Sequence, residues 1–88
     1  MKQMNVFQRR EAIKAKLLDI INHISEKKII EIPEHSSLAD HLGVDSLDRM
    51  DLWLSIEETL KVDMPEKELR ACNTVMDLID MVERHMKG

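Results

Sequence analysis

The sequence predicts an all-α protein: a small four-helix bundle with three main helices and a short third one. Three observations point there. The composition favours helices: Leu, Ile, Met, Glu, Lys and Asp dominate, with only two glycines, two prolines, and Phe7 and Trp53 as the aromatics. Apolar residues recur at helical spacing in three separate segments. Two of those segments open on an acid or hydroxyl residue followed three positions later by Asp, the pattern of a capped helix start.

The first helix is expected over about residues 6–28. Val6, Ile13, Leu17, Ile20, Ile21 and Ile24 supply its apolar face, and Lys27 and Lys28 suit a C-terminal end. A long connection follows. Ile29-Ile30-Glu31-Ile32 alternates like a strand, but no second strand exists to pair with it. Ile32, Leu38 and Leu42 are therefore expected to pin a loop to the core, with Pro33, Ser36 and Ser37 as its punctuation.

The second helix is expected over 46–60, with Asp45 as N-cap and Asp48 as the capping-box acid. Val62-Asp63-Met64-Pro65 breaks the pattern, and Pro65 opens a short helix over 66–70. Thr74 caps the last helix, 75–86, with Asp77 three residues on; Val75, Leu78, Ile79, Val82 and Met86 form its stripe. The expected core is Ile13, Leu17, Ile20, Leu52, Ile56, Leu60, Val75, Ile79 and Val82. With 88 residues, no internal repeat and no low-complexity tract, residues 1–88 read as a single domain.

Charge and cysteine usage exclude several classes. Residues 1–35 carry seven Lys/Arg and five Asp/Glu, net +2; residues 36–88 carry six and twelve, net −6. The acidic part repels nucleic acid and anionic membrane and attracts basic protein surfaces. The N-terminal basic bias reads as a solvated helix face. Cys72 is the only cysteine, which excludes an intrachain disulfide. No apolar run approaches the roughly 20 residues of a membrane span, and residues 1–5 lack a signal-peptide stretch, so the expected location is the cytoplasm. His23, His35, His41, His85 and Cys72 lack zinc-ligand spacing, so no metal is expected.

Two features of the second helix remain. Placed on a helical wheel at about 100° per residue, Leu52, Trp53, Ile56 and Leu60 share one side, and Leu47, Met50 and Leu54 share another. Asp48, Asp51, Ser55 and Glu58 fill one gap between them, while Arg49 and Glu57 lie elsewhere. The second stripe is either further core or an exposed apolar strip with acidic edges. Apolar stripes are usually core, which favours the first reading; the second would make a docking face for a partner with apolar pockets and a basic rim. The other feature is Ser46, in the first turn, where free backbone N–H groups and the helix dipole favour an anion such as a phosphate ester.

Catalysis is not expected. Gly43-Val44-Asp45-Ser46-Leu47 approaches a Gly-Asp-Ser-Leu hydrolase pattern, but Val44 interrupts it. No Asp-x-x-His partner or Gly-x-Ser-x-Gly elbow is present.

Leu42-Gly43-Val44-Asp45-Ser46-Leu47-Asp48 resembles the phosphopantetheine attachment motif of acyl carrier proteins. The register continues without a gap over about residues 36–86, through Leu52, Ile56, Glu57, Glu58 and Leu60, the Val62–Glu66 segment, and Thr74-Val75. The resemblance implies an acyl-carrier-like bundle. A phosphopantetheinyl transferase moves 4'-phosphopantetheine from coenzyme A onto Ser46, and the arm's thiol carries acyl intermediates as thioesters. It also reverses the reading of the wheel: Leu47, Met50 and Leu54 become an exposed strip. Asp45, Asp48, Asp51, Glu57 and Glu58 become contacts for acyl-transferring and synthase enzymes with basic docking patches. The implied protein is a monomer with no catalytic residue of its own.

Arg49, His41, Lys61, Trp53 and the longer, basic N-terminal segment depart from the family pattern, so polyketide or specialised lipid pathways fit at least as well as primary fatty-acid synthesis. Asp45 before the serine favours an acyl over a peptidyl or aminoacyl carrier. A helical interaction module that is never modified at Ser46 is the remaining alternative.

Overall fold

The computed structural model describes residues 5–25, 31 and 33–86. It contains four helices: α1 (Val6–Ser25), α2 (Ser46–Leu60), α3 (Glu66–Arg70) and α4 (Val75–His85). No strand forms among the described residues; one antiparallel bridge joins Ser37 to Thr74. Helix α1 packs against α2 and α4, and the short α3 closes the bundle between α2 and α4. The expected end of the first helix at residues 26–28, and Ile29, Ile30 and Ile32, lie outside the described residues.

Each helix start follows from its capping chemistry. Asp45 sits in an extended conformation and accepts from the amides of Leu47 and Asp48, while Asp48 reaches back to the Asp45 amide. Thr74 does the same for α4: its hydroxyl accepts from the Asp77 amide at 3.2 Å, and Asp77 accepts from the Thr74 amide at 3.1 Å. Each pair satisfies first-turn donors that have no partner within the helix. Pro65 is the N-cap of α3, one position earlier than a first helical residue. Lys61 ends α2 in the left-handed conformation.

The core runs through all four helices. Ile13, Leu17, Ile20 and Ile21 meet Leu52 and Ile56, Leu69, and Val75, Leu78, Ile79, Met81 and Val82. Leu60, expected in that core, is only half-buried and packs against its edge, because it is the last residue of α2. Val6 is exposed for the corresponding reason at the first residue of α1. Leu38, Leu42 and Val44 carry the connection into the core.

The connection is held by backbone as well as side chains. The Leu38 amide donates to the Asn73 carbonyl, and the amides of Val75 and Met76 donate to the carbonyls of Ser36 and Glu34. The loop thus supplies acceptors for the first two amides of α4, and α4 fixes the loop that leads to Ser46. Arg10 of α1 adds a clasp, bonding Asp80 at 2.7 Å and Glu83 at 3.0 Å on α4. No helix among the described residues is long and apolar enough to cross a membrane.

Candidate functional site

The loop turns into α2 at Gly43, whose φ of 70° is a conformation that glycine adopts without steric cost. Val44 on its far side is buried, and its amide donates to the Leu38 carbonyl at 2.8 Å. A residue with a fixed inward side chain on each flank of a glycine turn leaves little freedom in where the next residues go. Asp45 then caps, and Ser46 is the first residue of α2, between the exposed Asp45 and the exposed Leu47.

The anion-binding quality expected of this helix start is reduced by its own cap. Asp45 Oδ1 already accepts from the Leu47 amide at 3.0 Å and the Asp48 amide at 2.9 Å. Two carboxylates, those of Asp45 and Asp48, offset the positive end of the helix dipole. The nearby Arg49 is also committed, donating to the carbonyls of Leu69, Arg70 and Cys72. This set of residues does not seat a phosphate.

The side of α2 that follows is exposed and apolar. Leu47 is 82% accessible, Met50 41% and Leu54 47%, so the stripe that the wheel alone favours as core lies outside it. Asp51 and Glu58 are exposed beside it, and Asp48 is half-buried. Three of the acids have structural work as well: Asp45 and Asp48 in the cap, and Glu57, whose Oε2 accepts from the Met64 amide at 3.3 Å. Among the described residues no group of three or more His, Cys, Asp or Glu side chains could hold a metal.

Arg49 and Trp53 have roles that sequence reasoning missed. Arg49 turns inward, onto the end of α3, instead of toward a partner. Trp53 Nε1 donates to the Met64 carbonyl at 3.0 Å. The available signal was their place next to the buried stripe, where a long polar side chain reaches backbone acceptors at the edge of a core. Cys72 is buried between α3 and α4, its Sγ 3.9 Å from Met81 Sδ, and burial pushes its thiol up to about 11.

A capped helix opening on serine and an exposed apolar strip below it thus sit on a four-helix core. The chain matches the family model for the phosphopantetheine attachment site over residues 15–82. It is 35% identical over 75 residues to the acyl carrier protein of Syntrophobacter fumaroxidans, covering 84% of this chain and 91% of that one. It is 30% identical over 83 residues to an acyl carrier protein of Rickettsia bellii, covering 94% and 96%. The crystal structure of an acyl carrier protein from Thermotoga maritima superposes with a TM-score of 0.81 at 26% identity, covering 92% of this chain and 94% of that one. The chain belongs to the acyl carrier protein family, whose cofactor is covalently attached 4'-phosphopantetheine and whose members are carriers rather than catalysts.

Proposed function

We propose that Ser46 is the attachment residue and that the chain works as a single, monomeric carrier domain in the cytoplasm. The Ser46 hydroxyl replaces the nucleotide half of coenzyme A in a phosphate ester; one P–O bond forms, one breaks, and the hydroxyl proton is lost. The chain performs no further bond chemistry. It delivers acyl thioesters to enzymes of fatty-acid, polyketide or specialised lipid biosynthesis.

The observation that carries this reading is the exposed Leu47–Met50–Leu54 strip, which starts one residue after Ser46 and is edged by Asp51 and Glu58. A partner that buries the strip brings its own active site to the attachment point. Apolar area gives contact energy, and the acids steer a basic rim. The phosphopantetheinyl transferase and the acyl-transferring and synthase enzymes would share this face, with Asp45, Asp48, Glu57 and Glu58 around it. The flexible arm raises the effective concentration of the acyl group at each partner.

Intact mass spectrometry after incubation with coenzyme A and a broad-specificity transferase tests the assignment. One added phosphopantetheine is expected, mapping to Ser46 and absent from Ser46→Ala. Modification at Ser36, Ser37 or Ser55 would overturn it.

A further inference from the structure

The seam between α2 and α3 is closed by three side chains four residues apart on one line of α2. Arg49 Nη1 donates to the carbonyls of Leu69 at 3.2 Å, Arg70 at 3.3 Å and Cys72 at 2.8 Å. Trp53 Nε1 donates to the Met64 carbonyl at 3.0 Å, and Glu57 Oε2 accepts from the Met64 amide at 3.3 Å. Both polar groups of the Met64 backbone are therefore bonded to α2, and the end of α3 is bonded to it one turn higher. Helical geometry stacks position 46 above positions 53 and 57, with Trp53 about 10 Å along the axis. Position 46 thus stands at the upper end of this seam.

We propose that the Arg49–Trp53–Glu57 ladder bolts that seam and makes this carrier hold its cargo outside the bundle, so that it serves short or polar acyl groups rather than long hydrocarbon chains. The proposal rests on attachment at Ser46. A hydrocarbon chain leaves water in proportion to its apolar area, so a long chain presses toward the core and a short one hardly does. Entry along the seam requires parting Met64 and α3 from α2. That breaks the bonds of the Met64 amide and carbonyl and those from the guanidinium to three further carbonyls, all part-buried except the exposed one to Arg70, and an apolar chain in the gap keeps water from fully replacing them. Below the ladder, Leu52, Ile56 and Leu69 have no solvent-accessible surface, so no preformed space repays the opening. The two grooves described lie elsewhere. One of about 600 Å³ lies at the far ends of α2 and α4, near Lys61 and Arg84; one of about 300 Å³ lies between α1 and α2, near Lys16 and Ser55. Neither is lined by a ladder residue.

Trp53 is the only tryptophan and sits in the seam, so the protein carries its own reporter. The test loads the full chain with acetyl- or octanoyl-phosphopantetheine from the corresponding coenzyme A thioesters. Intact mass and peptide mapping verify one arm on Ser46, which separates failure of attachment from failure of the ladder. In the wild type, the acetyl and octanoyl forms should share one melting temperature and one Trp53 emission maximum. In Arg49→Met, which keeps an apolar stem over the seam, the octanoyl form should melt higher than the acetyl form and shift the Trp53 emission. If Arg49→Met fails to fold, Trp53→Phe, which keeps a smaller aromatic side chain and removes the bond to Met64, carries the same comparison by melting temperature. A wild-type octanoyl form that melts higher and shifts Trp53 would overturn the proposal. So would a folded variant that shows no dependence on chain length.

Discussion

Arg49 Nη1 lies 2.8 Å from the carbonyl oxygen of Cys72, so a side chain in the second turn of α2 ends the segment that follows α3. Helix α3 has only five residues, too few to be stable in isolation. Its C-terminal carbonyls need partners beyond the helix, and the guanidinium donates to two of them, Leu69 and Arg70, as well as to Cys72 just after the helix. Its position on the bundle therefore depends on a charge placed 20 residues earlier in the chain.

Removing that charge should cost stability. Hydrogen bonds from a charged donor are worth about 1.5–3 kcal/mol, so Arg49→Ala should lower the unfolding free energy by about 2 kcal/mol in urea denaturation. Exposed Asp51→Ala, on the same helix, should stay within about 0.5 kcal/mol of wild type. Equal effects of the two would show that Arg49 is a surface charge.

The cap of α4 makes a prediction about pH. Asp77 accepts from the Asn73 amide at 2.9 Å and the Thr74 amide at 3.1 Å. These bonds, the one from Asn73 foremost, hold its carboxyl below the ordinary value of 3.8. A lowered folded value means that the contribution is complete above 3.8 and fades as pH falls through the folded value. Asp77→Asn keeps an acceptor oxygen but removes the titration. Its stability deficit relative to wild type should be largest near neutral pH and shrink in acid. Thr74→Ala removes the other half of the box and should cost about 1 kcal/mol at any pH.

Cys72 should be nearly silent toward thiol reagents in the folded protein. Burial raises its thiol to about 11, so little thiolate exists at neutral pH, and the reagent must also reach an enclosed sulfur. A disulfide reagent at pH 7 should react fast with one thiol per chain in the phosphopantetheinylated protein, namely the arm, and with none in the unmodified protein until denaturant is added. Fast reaction of the unmodified native protein would show that the α3–α4 contact opens readily.

Much of this was legible in the sequence, and what was missed shares one cause. Both capping boxes were readable because Asp45/Asp48 and Thr74/Asp77 are local pairs whose chemistry is written in residue type. Leu52 and Ile56 were readable because burial follows helical period. The second stripe was not readable from the period, which cannot tell a core face from a docking face; only the resemblance turned Leu47, Met50 and Leu54 outward. Val62, Met64 and Cys72 are buried in segments without a period, so nothing marked them as core. The ladder was illegible for a further reason. Its acceptors are mostly backbone carbonyls, identical at every residue, and only the fold decides which of them Arg49 and Trp53 meet.

Partner recognition on α2 should separate into a long-range and a contact component. Asp51 is exposed and has no part in the cap, whereas Asp48 accepts from the Asp45 amide, so reversing Asp48 would mix steering with helix stability. Asp51→Lys is therefore the clean probe of charge. It should slow modification by the transferase at low salt through a lower association rate, and the defect should shrink as salt shortens the range of the field, to about 10 Å at 0.1 M. Met50→Ala removes apolar contact area, which salt does not screen, so its defect should fall on the dissociation rate and persist in high salt. Met50 is 41% exposed, and its truncation should change stability far less than that of the fully buried Ile56, where Ala should cost about 2–5 kcal/mol. If Met50→Ala instead unfolds the protein as Ile56→Ala does, the strip is core. If its kinetic defect disappears with salt, the strip does not meet the transferase.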